Sequence, residues 1–173
     1  MSRKFYYTLH PRLCVIIGSG KVSENVINFM AATWITPISE DLPTVGFSCS
    51  KETYTCELIK KYKQFSVNIV KDVKLIWQVG TTSGKEINKV EKFKIKFKAG
   101  KVLDVPIIED CLAYLECRVI KEVEVSECIF FIGEVKNWEA QNFDEYGFKN
   151  FWELPYHKAG RAFVFLSKNF VMI

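Results

Sequence analysis

Three short stretches of this 173-residue chain carry side chains whose types and spacing suit the binding of a small anionic ligand. Ser48 and Ser50 end an alternating run, and Lys51 leads from them directly to Thr53-Tyr54-Thr55, where a helical pattern begins. A helix start presents main-chain N–H groups without intrahelical acceptors and the positive end of the helix dipole, so hydroxyls and a lysine beside it form a cradle for phosphate. The same residues equally describe an ordinary N-cap with a solvated lysine. Ser83-Gly84-Lys85 repeats the combination of a hydroxyl, a glycine that permits close approach and a cation. It lacks the Gly-x-x-x-x-Gly-Lys-Ser/Thr spacing of a P-loop and also reads as a capping turn. In Ala31-Ala32-Thr33-Trp34, small side chains let main-chain groups reach the edge of a flat heterocycle, and Trp34 either lines such a pocket or fills core.

Other chemistries find little support. The two histidines, His10 and His157, sit in no nucleophile or metal signature, and His157 after Pro155-Tyr156 reads as a surface or hydrogen-bonded residue. The cysteines at 14, 49, 56, 111, 117 and 128 lack the spacing of zinc knuckles or redox dithiols and read as small buried hydrophobes. No catalytic side chain and no metal ligand is therefore assigned, and difficult chemistry falls to a bound cofactor. The net charge of +4 is spread along the chain with no basic arm, so nucleic acid is not expected as a partner. Neither a signal segment nor a membrane-length apolar run is present, which predicts a soluble, cytoplasmic protein.

The elements that must position these residues read as one domain over 1–173, mainly β. Hydrophobic residues make up 49% and aromatics 14%, many of them in β-branched runs that favour sheet. Residues 13–17 form a strand that stops at a turn in Gly18-Ser19-Gly20, and a second strand covers 22–30. Residues 31–36 continue extended as far as Pro37. In residues 43–50, Val45, Phe47 and Cys49 share one face and Gly46, Ser48 and Ser50 the other. A helix over 54–62 is capped by Thr53, and 65–69 returns to strand. Residues 71–90 are helical, with Gly80 as a stop and Ser83-Gly84-Lys85-Glu86 as the capping box of a further short helix. Residues 111–125 and 127–138 form a long hairpin turning near Ser126, apolar on both faces at 129–132, and 162–166 adds a last strand. Length with two-sided burial predicts a closed barrel decorated with short helices.

The order of segments is itself informative. Asn28-Phe-Met-Ala-Ala-Thr-Trp-Ile-Thr-Pro-Ile-Ser39, then Pro43-Thr-Val-Gly-Phe-Ser-Cys-Ser50, Tyr54-Thr-Cys-Glu-Leu-Ile59 and Phe65-Ser-Val-Asn68 resemble the flavin reductase-like, FMN-binding split-barrel family, flavoredoxin-type members most nearly. Ser83-Gly84, residues 106–117 and residues 130–135 follow the same pattern, so the resemblance spans about Leu13 to Val135. It implies a Greek-key split β-barrel and a homodimer with one flavin mononucleotide (FMN) per subunit near the interface. By that resemblance Ala32, Thr33 and Trp34 lie along the isoalloxazine, Ser48, Cys49 and Ser50 border the ring and ribityl chain, and Tyr54 and Thr55 face the phosphate. Ser83, Gly84 and Lys85 match a second contact segment that acts across the dimer. The family passes electrons from NAD(P)H or a protein donor through FMN to an acceptor, with no side-chain acid or base required. Two departures stand out: residues 22–28 lack the Gly-rich hairpin of many members, and the C-terminal tail matches loosely. The competing readings are an FMN electron carrier without enzymatic activity, and a cofactor-free β-barrel module binding single-stranded nucleic acid. Against the latter, Gly46, Ser48 and Ser50 stand where stacking aromatics would be expected.

Overall fold

The structure, a computed structural model, describes residues 4–169. After a 3-10 helix at Phe5–Leu9 come strands β1 (Arg12–Leu13), β2 (Val15–Lys21), β3 (Val26–Ala32), β4 (Ile35–Ser39) and β5 (Thr44–Ser50). Helix α1 (Tyr54–Tyr62) leads to β6 (Gln64–Ile69), after which α2 (Val73–Thr81) and α3 (Lys89–Phe93) form a helical insert. Strands β7 (Phe97–Ala99) and β8 (Pro106–Ile108) precede the long hairpin of β9 (Ala113–Val125) and β10 (Cys128–Ala140). Four short strands close the chain: β11 (Phe143–Asp144), β12 (Gly147–Phe148), β13 (Tyr156–Ala159) and β14 (Ala162–Val164).

Seven strands form one antiparallel sheet in the order β3-β2-β6-β9-β10-β5-β4. Its two edge strands, β3 and β4, are consecutive in sequence and joined only by Thr33 and Trp34. A sheet whose outer edges are tied by two residues has to roll up, and the result is a barrel with one open seam. This is the split β-barrel expected from the sequence, mainly β and decorated by short helices. Both faces of its central strands are buried. Ile16 packs with Phe29, Ile76, Val79 and Ile107 against the helical insert, while the adjacent Ile17 points to the other side and joins Phe47, Phe65, Ile129 and Phe131 inside the barrel. The Phe47 ring centroid lies 5.1 Å from that of Phe65 and 5.7 Å from that of Phe131.

One buried carboxylate organises the loop before β8. Glu116 of β9, fully buried, accepts hydrogen bonds from the main-chain N–H groups of Lys101 (2.8 Å), Val102 (2.8 Å) and Leu103 (2.6 Å) and from Asn137 Nδ2 (2.8 Å).

Several local expectations are corrected. Gly18-Ser19-Gly20 is not a turn, since β2 runs on to Lys21. Gly18 is there for close packing: a Cβ on it would lie 2.4 Å from both Pro106 O and Ser66 Oγ. The reversal falls instead at Val22–Glu24, closed by Asn25 in the left-handed conformation. Pro37 does not end an extended segment but lies within β4, where an edge strand tolerates its missing N–H. No helix begins at Ser83. The next helix begins at Lys89 and is capped by Asn88, whose side chain accepts from the N–H groups of Val90 and Glu91.

Candidate functional site

Helix α1 starts as its residues dictate. Thr53 Oγ1 accepts from Cys56 N at 3.2 Å, so the helix is fixed at its first turn while the N–H groups of Tyr54 and Thr55 keep no intrahelical acceptor. This end of the helix faces a cavity of about 310 Å³. Ser50, Thr53, Tyr54 and Thr55 form one wall, the end of α2 and Ser83-Gly84 a second, and Asn28 and Met30 of β3 the floor.

The floor holds the most informative group. Asn28 is 3% exposed, and its Nδ2 donates to Thr55 Oγ1 at 2.8 Å and to Ser19 Oγ at 3.3 Å. Its Oδ1 accepts nothing from the described residues. Buried polar atoms are normally paired, so an orphaned acceptor in a cavity wall asks for a donor from a ligand. Gly84 is required beside it: a Cβ at this position would stand 2.3 Å from Asn28 Oδ1 and 3.1 Å from Tyr54 Cδ1.

A buried cation completes the wall. Lys89, 4% exposed, donates from Nζ to the carbonyls of Phe29 and Val79, both at 2.8 Å, and no carboxylate among the described residues pairs with it. Burial lowers its pKa to about 8. Two of three N–H bonds are thus committed to main-chain carbonyls, leaving one for a ligand. The chemistry offered is a row of donors and one cation for an anion, with the unpaired Asn28 Oδ1 as an acceptor for a hydroxyl and Glu52 as the one carboxylate of the lining.

Of the eleven residues singled out from sequence, Ser50, Tyr54, Thr55, Ser83 and Gly84 meet in this cavity. Thr33 lies outside it, lining two neighbouring clefts. Ala32 is buried within the barrel core. Trp34 is 38% exposed, packs edge-on against Tyr6 at 5.3 Å, and accepts a hydrogen bond through its carbonyl from Ser48 N at 2.9 Å. Ser48 is half-buried in β5. The Cys49 side chain is buried in the core with its Sγ 3.0 Å from Thr53 Oγ1, and burial pushes its pKa up to about 12. Lys85 is exposed and ion-paired with Glu57 rather than lining the cavity. Sequence reasoning passed over Asn28 and Lys89. Asn28 had a signal, being the one amide in the apolar run Val26–Ala32. Lys89 had none, because its burial depends on carbonyls 60 and 10 residues away.

Residues 7–158 match the family model described as a flavin reductase like domain. The chain belongs to that family. Among relatives of this flavin reductase-like chain, an uncharacterized protein of Archaeoglobus fulgidus is 37% identical over 129 residues, covering 73% of this chain and 71% of its own length. A high molecular weight rubredoxin of Moorella thermoacetica is 30% identical over 139 residues, which is 78% of this chain but only 58% of that protein. Among solved structures, an FMN-binding protein from Thermus thermophilus superposes with a TM-score of 0.89 at 22% identity, covering 100% of this chain and 96% of the other. Flavoredoxin from Methanosarcina acetivorans superposes with a TM-score of 0.86 at 21% identity over 99% and 94% of the two chains. At these identities the superpositions establish the fold. Among the described residues, no helix is long and apolar enough to cross a membrane.

Proposed function

We propose that this flavin reductase-like protein binds FMN in the cavity at the start of α1 and passes reducing equivalents through it between NAD(P)H or a redox-protein donor and an acceptor. The observation that carries the reading is the orphaned Asn28 Oδ1, buried at a cavity whose lining brings hydroxyls, open main-chain N–H groups and the Lys89 ammonium together, with Glu52 as its one carboxylate. FMN combines an anion with a polyhydroxyl chain, and the donor set fits both. The N–H groups of Tyr54 and Thr55, with the Ser50 and Thr53 hydroxyls, suit the phosphate. Asn28 Oδ1 suits a ribityl hydroxyl, and Ser83, Gly84 and Lys89 close the opposite side. Ala32, Thr33, Trp34, Ser48 and Cys49 are assigned to the ring end, Ala32 and Cys49 through their main chain because their side chains lie in the core, and Lys85, paired with Glu57, is assigned to the rim. Bound flavin supplies hydride and single-electron chemistry. The chain's own residues hold it, exclude water from its phosphate end and leave part of the ring accessible, as one domain acting in the cytoplasm.

The relatives named flavoredoxin and high molecular weight rubredoxin favour a second form of the reading, an FMN carrier that exchanges electrons with a protein and has no nicotinamide site. NADH or NADPH oxidation by the holoprotein at no more than the buffer rate would select the carrier. A homodimer is part of the proposal. A cleft of about 1030 Å³ begins at Thr33 and runs past Ile35, Ile38, Trp138 and Phe143, and Ile38 and Trp138 are 46% and 56% exposed. An apolar surface of this extent suits a second copy of the chain.

The test is direct. Purified protein is scanned for a flavin spectrum, the chromophore is released and identified, and apoprotein is titrated with FMN by fluorescence quenching. Saturable uptake is expected, with Asn28→Leu weakening it by about tenfold or more, as loss of a buried hydrogen bond implies. Absence of uptake by the wild-type apoprotein would overturn the reading.

A further inference from the structure

The net charge of +4 is not evenly spread over the chain. Residues 89–101 hold six lysines against one glutamate, a surplus of five, so all the other residues together carry a net −1. Local structure turns this run into a ridge. Lys89, the first residue of α3, goes inward to the nucleotide cavity, and Val90 and Phe93 pack on the core. Lys92 is left exposed on the same helix, a rise of about 4.5 Å beyond Lys89. Lys94 closes α3 in the left-handed conformation, and the chain then alternates into β7. Ile95 and Phe97 face the core while Lys94, Lys96 and Lys98 stay exposed.

Lys92, Lys94 and Lys96 pair with no carboxylate among the described residues, whereas lysines to either side do, Lys85 with Glu57 and Lys101 with Glu139. Acidic groups bound the ridge without neutralising it. Glu91 shares α3 with Lys92, and Glu109 lies beside the strand, its N–H donating to the Lys96 carbonyl at 3.1 Å. Lys98 marks the far end: its Nζ lies 5.4 Å from the Tyr114 ring centroid, and it borders a separate cleft together with Glu109 and Glu139. Three unpaired like charges within five residues repel one another, and an anionic surface laid against them relieves that repulsion.

The chemistry of the ridge selects the partner. Ammonium groups on flexible stems are hydrated point charges that steer a partner without fixing one geometry, unlike the guanidinium forks that grip phosphate in pairs. The two aromatic rings of the run, Phe93 and Phe97, pack on the core, so neither is presented for a nucleobase to stack on. The ridge also starts in the helix whose first residue walls the nucleotide cavity, so a protein seated on it adjoins that cavity.

We infer that Lys92, Lys94 and Lys96 form the docking surface for an acidic electron-carrier protein. That the partner carries electrons rests on the FMN reading above, whereas the docking of an acidic protein surface does not. Two carriers docking in turn, each gaining one electron at its metal centre, reoxidise one reduced flavin, whose two protons pass to water.

Full-length protein, loaded with FMN and unloaded, is titrated by isothermal calorimetry with an oxidised rubredoxin of net negative charge. Saturable binding is expected at about 0.01 M salt and at least about tenfold weaker binding at about 0.15 M, as the screening length falls from roughly 30 Å to about 8 Å. The triple change Lys92→Gln, Lys94→Gln and Lys96→Gln weakens low-salt binding by about tenfold or more and leaves FMN affinity unchanged, which also shows that the variant is folded. The matched triple change Lys60→Gln, Lys61→Gln and Lys121→Gln removes the same charge from exposed positions elsewhere and leaves binding within about twofold. Three results overturn the proposal while leaving the FMN reading intact: no saturable rubredoxin binding at low salt, equal weakening by the two triple variants, which would mean that only net charge is sensed, or a single-stranded oligonucleotide that binds more tightly than rubredoxin through the same three lysines. Should FMN itself fail to bind, the cofactor reading fails separately, and the titration of the unloaded protein decides for or against the ridge by its dependence on those lysines.

Discussion

Gly84→Ala adds one methyl group at the point where the cavity is tightest. The new Cβ would stand 2.3 Å from Asn28 Oδ1, 3.1 Å from Asn28 Cγ and 3.1 Å from Tyr54 Cδ1, whereas ordinary contact begins at 3.4 Å. Asn28 therefore has to retreat by about 1 Å. It cannot do so freely, because its Nδ2 is tied to Thr55 Oγ1 at 2.8 Å and to Ser19 Oγ at 3.3 Å. Losing one such buried hydrogen bond costs about 1–3 kcal/mol, which for a chain of this size lowers Tm by on the order of 2–10 °C. The same displacement moves the unpaired acceptor of the cavity and the start of α1, so FMN affinity falls by about tenfold or more. Two measurements check it: thermal unfolding of the apoprotein by circular dichroism, and FMN titration by fluorescence quenching. A variant that melts and binds like the wild type would refute the reasoning. A variant that melts early but binds normally would show that Gly84 serves packing and not the ligand.

Three further outcomes are expected. Lys89, with its folded pKa near 8 against an ordinary 10.5, has opposite signs in two assays. Affinity for an anionic cofactor falls as pH rises through about 8, because the charge is lost. Apoprotein stability rises between about 8 and 10.5, where only the unfolded chain still holds the proton, and Lys89→Met shows neither trend. Burial acts to raise the Glu116 pKa, but hydrogen bonds from Asn137, Leu103, Val102 and Lys101 outweigh it and hold the pKa below the ordinary value of 4.5. Its contribution is accordingly complete above about pH 4.5 and lost as pH falls below that. Glu116→Gln turns an amide N–H₂ toward those donors and costs about 3 kcal/mol or more at pH 7, read as a lowered denaturation midpoint in urea; a shift under about 0.5 kcal/mol would contradict the assignment. Trp138→Glu, a charge set in the apolar cleft, is expected to turn a dimer into a monomer in light scattering coupled to size exclusion, and an unchanged mass would exclude that cleft as the interface.

The readings that held were local ones. Helix α1 and its Thr53 cap follow from side-chain spacing and one hydroxyl within ten consecutive residues, and the strict alternation of β5 fixes which of its side chains enter the core. The readings that failed hung on partners distant in sequence. Gly18 looked like a turn residue because its reason for being glycine, the approach of Pro106 and Ser66, is visible only after folding. Ser83 looked like a helix cap because hydroxyl, glycine and acid were correctly spaced, yet its Oγ bonds the N–H of Lys85 in a turn and Asn88 takes the cap.

The amino-acid sequence by itself determined the family, the barrel and the helix whose first turn faces the cavity, because periodicity, capping and segment order are written in near neighbours. Tertiary structure alone decided that Asn28 keeps an unpaired oxygen, that Lys89 is buried on two carbonyls, and that Lys85 turns to Glu57. The physical reason is that desolvation and hydrogen-bond satisfaction belong to the space around an atom, and that space is assembled from strands and helices far apart along the chain.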